Sequence, residues 1–161
     1  MAPAAPSQPP VPVEVKLALD GEGLRSFAVS NGSSRLIGFG TRQDEAIRLL
    51  EAVMGMPASE RGENIDCAAP YATWPNGLTA WFARSEFAGW SVDSVASTVT
   101  TAGSLKVGST REQLESAYDA RIAPSTLGTQ FSAGGISGLL DSPDAGARIT
   151  DLWAGTTCIA R

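Results

Sequence analysis

The chain has no histidine, only two lysines and no long hydrophobic run. Without histidine it cannot build a Ser-His-Asp or Cys-His nucleophile pair, and it lacks a common zinc ligand. The net charge is −5 and the basic residues are scattered singly, so no basic patch faces nucleic-acid phosphates. No apolar run reaches the roughly 18 residues of a spanning helix. The sequence therefore predicts no nucleic-acid partner and no membrane span.

Cysteine is equally scarce. The chain has only two, Cys67 and Cys158, and they lie 91 positions apart. That separation excludes a Cys-x-x-Cys redox or metal site. Two alternatives stay open. The cysteines are either buried free thiols, or they form a disulfide that constrains the unfolded chain by roughly 4 to 5 kcal/mol and implies an oxidising compartment.

The composition is that of a folded globular chain, with 161 residues, 43% hydrophobic and 18% charged. Residues 1–12 differ, since they hold five of the ten prolines and no charged side chain. Such a Pro/Ala tract favours extended conformations and predicts a disordered spacer, of the kind left after an N-terminal signal or anchor is removed. A frayed cytosolic terminus is the alternative. Spacer and disulfide together predict an extracytoplasmic location, in the periplasm, anchored to the envelope or secreted.

Residues 13–40 are predicted to be β strands, from period-2 alternation and an Asn-Gly turn. Thr41 and the apolar spacing that follows predict a helix over residues 42–54, closed by Gly55. Three strands should follow at 65–73, 78–83 and 87–92. The first helix-plus-meander unit is thus 41–92.

The pattern recurs after a polar linker at 93–104, because Thr110 and Gln113 predict a capped helix and three more strands follow within 105–161. The predicted fold class is therefore α+β. It is a tandem repeat of a helix plus a three-stranded antiparallel meander, with an extra N-terminal β-hairpin region.

The segments Val107–Leu114 and Thr41–Val53, the latter followed by Met54-Gly55-Met56-Pro57, carry a family resemblance. They resemble the Gly-x-Thr-x-x-x-Val and Leu-Gly-x-Pro helix motif of the SmpA/OmlA-type outer-membrane assembly lipoproteins. The doubled unit, over about residues 36 to 160, is similar to the β-lactamase inhibitory protein fold. The resemblance implies the tandem fold and an envelope or secreted location, and it transfers no partner or binding site.

Acidic clusters are the main candidates for chemistry. The stretch 141–146 misses the spacing of a calcium loop and is typical of a hairpin turn. Glu60, Glu63 and Asp66 lie in a predicted polar loop, where solvated carboxylates are the rule. We therefore expect no catalytic residue, no metal and no cofactor.

Aromatic residues are the better candidates for binding. Trp81 and Phe82 are adjacent, so they should point to opposite faces of a strand. The predicted binding residues are four tryptophans as anchors and two charged residues at the rim: Trp74, Trp81, Trp90, Trp153, Arg84 and Glu86.

The leading functional hypothesis is a non-catalytic extracytoplasmic binding or scaffold module that recognises a protein or cell-envelope component through this aromatic sheet face. Two alternatives stay open. One is a secreted protein inhibitor of an enzyme. The other is a carboxylate-dependent enzyme acting on glycans, with Glu63 and Asp66 as acid and base.

Overall fold

The structure, a computed structural model, describes residues 15–28, 31–93 and 97–158. The predicted spacer at 1–12 lies outside these ranges. In chain order the elements are β1 (Val15–Asp20), β2 (Gly23–Ala28), β3 (Ser34–Gly38), α1 (Gln43–Met54), β4 (Glu60–Asn64), β5 (Ala69–Thr73), β6 (Leu78–Ala83), β7 (Glu86–Val92), β8 (Thr100–Thr101), α2 (Arg111–Ala117), β9 (Arg121–Ser125), β10 (Gly128–Ala133), β11 (Ile136–Leu140) and β12 (Ile149–Gly155).

The strands form two sheets. The larger has eight antiparallel strands in the order β4-β5-β6-β7-β12-β11-β10-β9, so two four-stranded meanders meet where β7 pairs with β12. The smaller has the order β3-β2-β1-β8, and only its β1–β8 pair is parallel. β4 and β9 are therefore the edge strands of the large sheet.

Local sequence determines the C-terminal end of α1 and the N-terminal start of α2. In α1 the apolar residues Ala46, Ile47 and Leu50 are buried on one face, and Gly55 ends the helix with φ 71°, a left-handed conformation that costs glycine little. In α2 the side chains of Thr110 and Gln113 form the predicted reciprocal capping box. Neither helix of the described residues has the length and apolar composition needed to cross a bilayer.

The core lies on one face of the large sheet, which α1 and the small sheet cover. Phe82, Phe87 and Trp90 are each at most 1% exposed and belong to it. Trp90 also fastens the two sheets together, because its indole N–H donates a 2.9 Å hydrogen bond to the Asp20 carbonyl at the end of β1. Burying that ring with its N–H satisfied stabilises the layered arrangement.

The predicted α+β tandem repeat of a helix plus a three-stranded meander is wrong. The described chain is mostly β, with two short helices, two sheets and an eight-stranded antiparallel sheet. Two edge strands were missed, β4 with the sequence Glu-Arg-Gly-Glu-Asn and β9 with an internal proline, because an edge strand needs no buried apolar alternation. Within the predicted linker, Thr100–Thr101 forms β8.

Cys67 and Cys158 form a disulfide, with their Cα atoms 6.0 Å apart. Cys67 lies in the turn between β4 and β5, and Cys158 lies beyond β12. The bridge therefore ties an edge hairpin of the large sheet to the segment that follows its central strand, which resolves the two alternatives left by the sequence in favour of a covalent link.

Candidate functional site

The second face of the large sheet, opposite the core, is the candidate site, and we call it the outer face. Strand register assigns residues to it, since directly paired residues point to the same side. Trp81 pairs with Tyr71 on β5 and with Gly89 on β7, and it is absent from the core that holds Phe82. The prediction that Trp81 and Phe82 face opposite sides is confirmed.

A row of half-buried residues crosses the middle of the outer face. Successive pairings connect Thr73, Thr79, Ser91, Trp153 and Ser137 from β5 to β11. This central row is uncharged and presents one large aromatic side chain among four hydroxyls. Asp151, two residues from Trp153 on the same side of β12, places one charge beside this row, so a partner that buries Trp153 also meets that carboxylate.

A groove of about 500 Å³ opens at the β4 end of the outer face. We call it the β4–β6 groove. Its floor is formed by residues of β5 and β6, namely Tyr71, Thr73, Thr79 and Trp81. Its wall is the β4–β5 hairpin, with Glu63, Asn64, Ile65 and Asp66.

Tyr71 and Trp81 form the aromatic part of the floor. Their ring centroids are 5.6 Å apart and the ring planes are inclined by 51°. The Tyr71 hydroxyl donates a 2.9 Å hydrogen bond to Glu60 Oε1. This bond to a carboxylate, followed by the small desolvation and the charge of Glu60, raises the pKa of Tyr71 above its ordinary value. Tyr71 is therefore a neutral phenol across the physiological range.

The remaining polar groups of the floor bond to each other. Thr73 Oγ1 and Thr79 Oγ1 are 3.1 Å apart, and the Trp81 indole N–H donates a 2.9 Å hydrogen bond to Ser91 Oγ. These bonds fix the side chains in place before any ligand binds, which lowers the entropy lost on binding.

The wall carries one carboxylate in its turn. Asp66 is exposed there and lines the groove, whereas the register places Glu63, the partner of Pro70, on the side opposite to Tyr71. The wall is held by Asn64, whose side-chain oxygen accepts the backbone N–H groups of Asp66 and Cys67 at 2.9 and 3.2 Å. The turn that carries Asp66 is thus held in a fixed conformation.

Residues 156–158, which we call the C-terminal strap, follow β12 and lie against β7. Gly155 turns the chain with φ 71°, and the Thr156 N–H donates to the Ala88 carbonyl at 2.8 Å. A Cβ atom at Gly89 would overlap the Thr156 carbonyl, so the strap lies directly on Gly89. Because Gly89 pairs with Trp81, the strap lies beside Trp81, which is only 9% exposed.

Of the four predicted tryptophan anchors, two lie in the core and two on the outer face. Trp74 and Trp90 are 1% and 0% exposed, in the core, and Trp74 donates its N–H to the Met56 carbonyl at 3.3 Å. Neither can contact a partner in this conformation. Trp81 and Trp153 do share the outer face, where Ser91 lies between them as the bonding partner of one and the strand partner of the other.

Arg84 and Glu86, the predicted rim, are exposed in and beside the β6–β7 turn. This turn docks onto the start of α1, where the Gln43 N–H donates to the Ser85 carbonyl at 2.8 Å and Glu86 forms a β-bridge with Arg42. The two residues line a separate edge of the molecule and do not line the groove.

The other acidic stretch, at 141–146, is a turn between β11 and β12, and Asp141 Oδ1 accepts the Arg148 N–H at 3.0 Å. Within the described residues, no three Cys, Asp or Glu side chains lie close enough together to hold a metal ion. The surface depression beside α2 is lined by the ion-paired Arg111 and Glu115 and holds no aromatic ring.

Sequence reasoning missed three residues of the groove floor, Tyr71, Thr73 and Thr79. A signal was present, since Tyr71 and Thr73 alternate with apolar positions on a predicted strand. The pairing that sets them beside Trp81 comes from the sheet register alone.

Comparison of the chain with protein-family models, curated proteins and solved structures finds no match. The resemblance to SmpA/OmlA-type lipoproteins therefore stays a prediction, and the function has to be argued from the outer face itself.

Proposed function

We propose that this chain is a non-catalytic binding module that acts outside the cytoplasm and recognises a protein or cell-envelope component through the outer face. The observation that carries the proposal is the composition of that face. It leaves Tyr71 and Trp153 half-buried on a sheet whose other side carries the hydrophobic core, and Trp153 lies between Ser91 and Ser137 with Asp151 two residues away.

Aromatic side chains on a rigid sheet suit recognition, because they bury a large area and lose little conformational freedom. On the outer face the C-terminal strap lies on Gly89, whereas the core face is covered by α1 and the small sheet. A protein partner that packs on Trp153 would cover the sheet beyond the strap.

The disulfide supports the location. Disulfides persist in oxidising compartments and are rare where glutathione and thioredoxin keep thiols reduced. Alkylation of the native protein from its own host tests this point directly. Both thiols should be blocked until a reductant is added, and two reactive thiols would contradict the proposed location.

The binding surface is tested by affinity capture from envelope and secreted fractions of the host. The wild-type chain and a Trp153→Ser variant are compared with Met56→Ser, which removes an exposed apolar side chain, 46% accessible, from the end of α1. We expect wild type and Met56→Ser to retain the same partner and Trp153→Ser to lose it. Equal capture by all three, with unchanged denaturation curves, would contradict the proposal.

A further inference from the structure

We propose that two copies of this chain pair along the free edge of β4 and form a two-fold symmetric dimer with one continuous sheet. This inference goes beyond the proposed function and does not depend on it, because β4 lies at an edge of the large sheet, four strands away from Trp153 on β12. Three features carry it: an unblocked edge, a self-complementary pattern of charges and a fixed hairpin.

β4 has one edge without a strand partner in the described part of the chain. It pairs with β5 along its other edge, and four of its five residues are exposed. β9, at the far edge of the same sheet, contains Pro124, which has no N–H and is a common block to further strand pairing. β4 has neither proline nor lysine, so it is the edge of the large sheet that can accept another strand.

The position of Pro70 indicates which backbone groups of β4 face the open edge. In an antiparallel pair, positions that exchange backbone hydrogen bonds alternate with positions that do not. Pro70 is the partner of Glu63 and has no N–H to donate, so this pair belongs to the second kind. The N–H and C=O groups of Glu63, and of Arg61 two residues before it, therefore point away from β5, where a second strand can bond them.

The side chains of β4 complement themselves when the second strand runs antiparallel. With Gly62 opposite its own copy, Arg61 of each chain lies opposite Glu63 of the other. On the other side of the strand, Glu60 lies opposite the uncharged Asn64. Arg61 and Glu63 are exposed, and neither takes part in an ion pair within the described residues. Opposite charges directly across two strands stabilise their pairing, and this register forms two such pairs.

Charge also selects this register over its neighbours. A shift by two residues in one direction places Arg61 opposite Arg61, and the same shift in the other direction places Glu63 opposite Glu63. Like charges directly opposed destabilise strand pairing, and an odd shift would turn the second copy's core side to the outer face. A peptide from another protein places no such demand on β4. The symmetry of the charges therefore identifies a second copy as the occupant.

The hairpin that carries β4 is held before any second copy binds. The side-chain oxygen of Asn64 accepts two backbone N–H groups of the turn, at 2.9 and 3.2 Å, and the disulfide joins Cys67 to Cys158. A fixed strand loses little conformational entropy on pairing. Ile65 follows β4 directly and is 93% exposed, and the same register brings it beside Ser59 of the second copy, where it loses contact with water.

Sedimentation equilibrium of the full, disulfide-bonded chain tests for the dimer. The five residues of β4 bury far less than the roughly 800 Å² per partner of a stable interface, so we expect a weak dimer with a dissociation constant of about 0.1 to 1 mM. A chain that stays monomeric up to about 2 mM would overturn the inference.

Charge reversal tests the register. Arg61→Glu and Glu63→Arg each place like charges opposite one another at both positions, so each should weaken the dimer at least about tenfold. The double variant restores opposite charges in exchanged positions, and its dissociation constant should return to within about threefold of wild type. This recovery, with unchanged circular dichroism of all three variants, excludes misfolding as the cause of the single effects.

Net charge is the competing explanation, and Glu112→Arg on α2 is the matched control. It changes the net charge by the same amount as Glu63→Arg, which reduces the repulsion between two acidic copies and should not weaken the dimer. Strengthening by Glu63→Arg and Glu112→Arg alike would assign the effect to net charge and overturn the inference. A dimer that no β4 variant changes forms through another surface and would overturn it as well. Trp153→Ser should leave the dimer intact, so failure of the dimer and failure of the proposed function are separate results.

Discussion

Removal of the disulfide should cost more stability than most single contacts in this chain. The bridge joins residues 91 positions apart, and a loop of that length restricts the unfolded chain by about 4 to 5 kcal/mol at room temperature. Domains of ordinary stability unfold with about 5 to 15 kcal/mol. A Cys67→Ser, Cys158→Ser variant should therefore fold but lose a large part of its free energy of unfolding.

Urea denaturation followed by circular dichroism measures this loss. The slope of unfolding free energy against urea should also rise, since the unfolded chain without its cross-link exposes more surface. Wild-type protein held in reductant should reproduce both changes. Either single serine variant should lose as much as the double variant, because one substitution already abolishes the bridge.

Two results would refute this reasoning. A loss below about 1 kcal/mol, the size of an average point substitution, would show that the cross-link restricts little. Single losses that add up in the double variant would show that Cys67 and Cys158 act separately through packing.

The remaining predictions concern the strap and the groove floor. Gly89→Ala should destabilise the fold by about 1 to 3 kcal/mol, because the new methyl group overlaps the strap backbone, whereas Gly146→Ala meets open space and should change stability by no more than about 0.5 kcal/mol. Thermal denaturation of both variants checks this, and equal stability would contradict the position of the strap. The pKa of Tyr71 is raised by its hydrogen bond to Glu60. The stability that this bond contributes to the fold is therefore fully present below about pH 10 and is lost as the pH rises through the pKa of Tyr71 in the folded protein. In a Tyr118→Phe background, ultraviolet titration of the phenolate should show Glu60→Gln lowering the Tyr71 pKa; an unchanged pKa would mean that the hydrogen bond does not form in solution.

Where local chemistry decided the structure, the sequence was sufficient. The α1 helix spans Gln43–Met54 against a prediction of 42–54, because its apolar spacing and its terminal glycine act within one turn. The cap at Thr110 is likewise a contact over three residues. Thr41, whose hydroxyl could have capped this helix, does not do so: the hydroxyl donates to the Gly38 carbonyl, and Arg42 is the N-terminal cap without a side-chain bond.

Edge strands show where sequence periodicity stops being informative. β4 was predicted to be a polar loop, yet it pairs with β5 over five residues. Both of its faces are largely exposed, so nothing selects for alternating apolar residues, and its backbone pairing is set by the neighbouring strand. The fold class was missed for the same reason, since it depends on which strands join one sheet.

The amino-acid sequence by itself determined α1, the capped start of α2, the single pair of cysteines and the placement of Trp81 and Phe82 on opposite faces. Only the tertiary structure decided that the cysteines are bridged, that Trp74 and Trp90 are core residues, and that Tyr71, Trp81 and Trp153 share the outer face. The physical reason is that alternation fixes which side of its own strand a residue takes, whereas the pairing of distant strands and the layer packed above them decide whether that side meets the core or solvent.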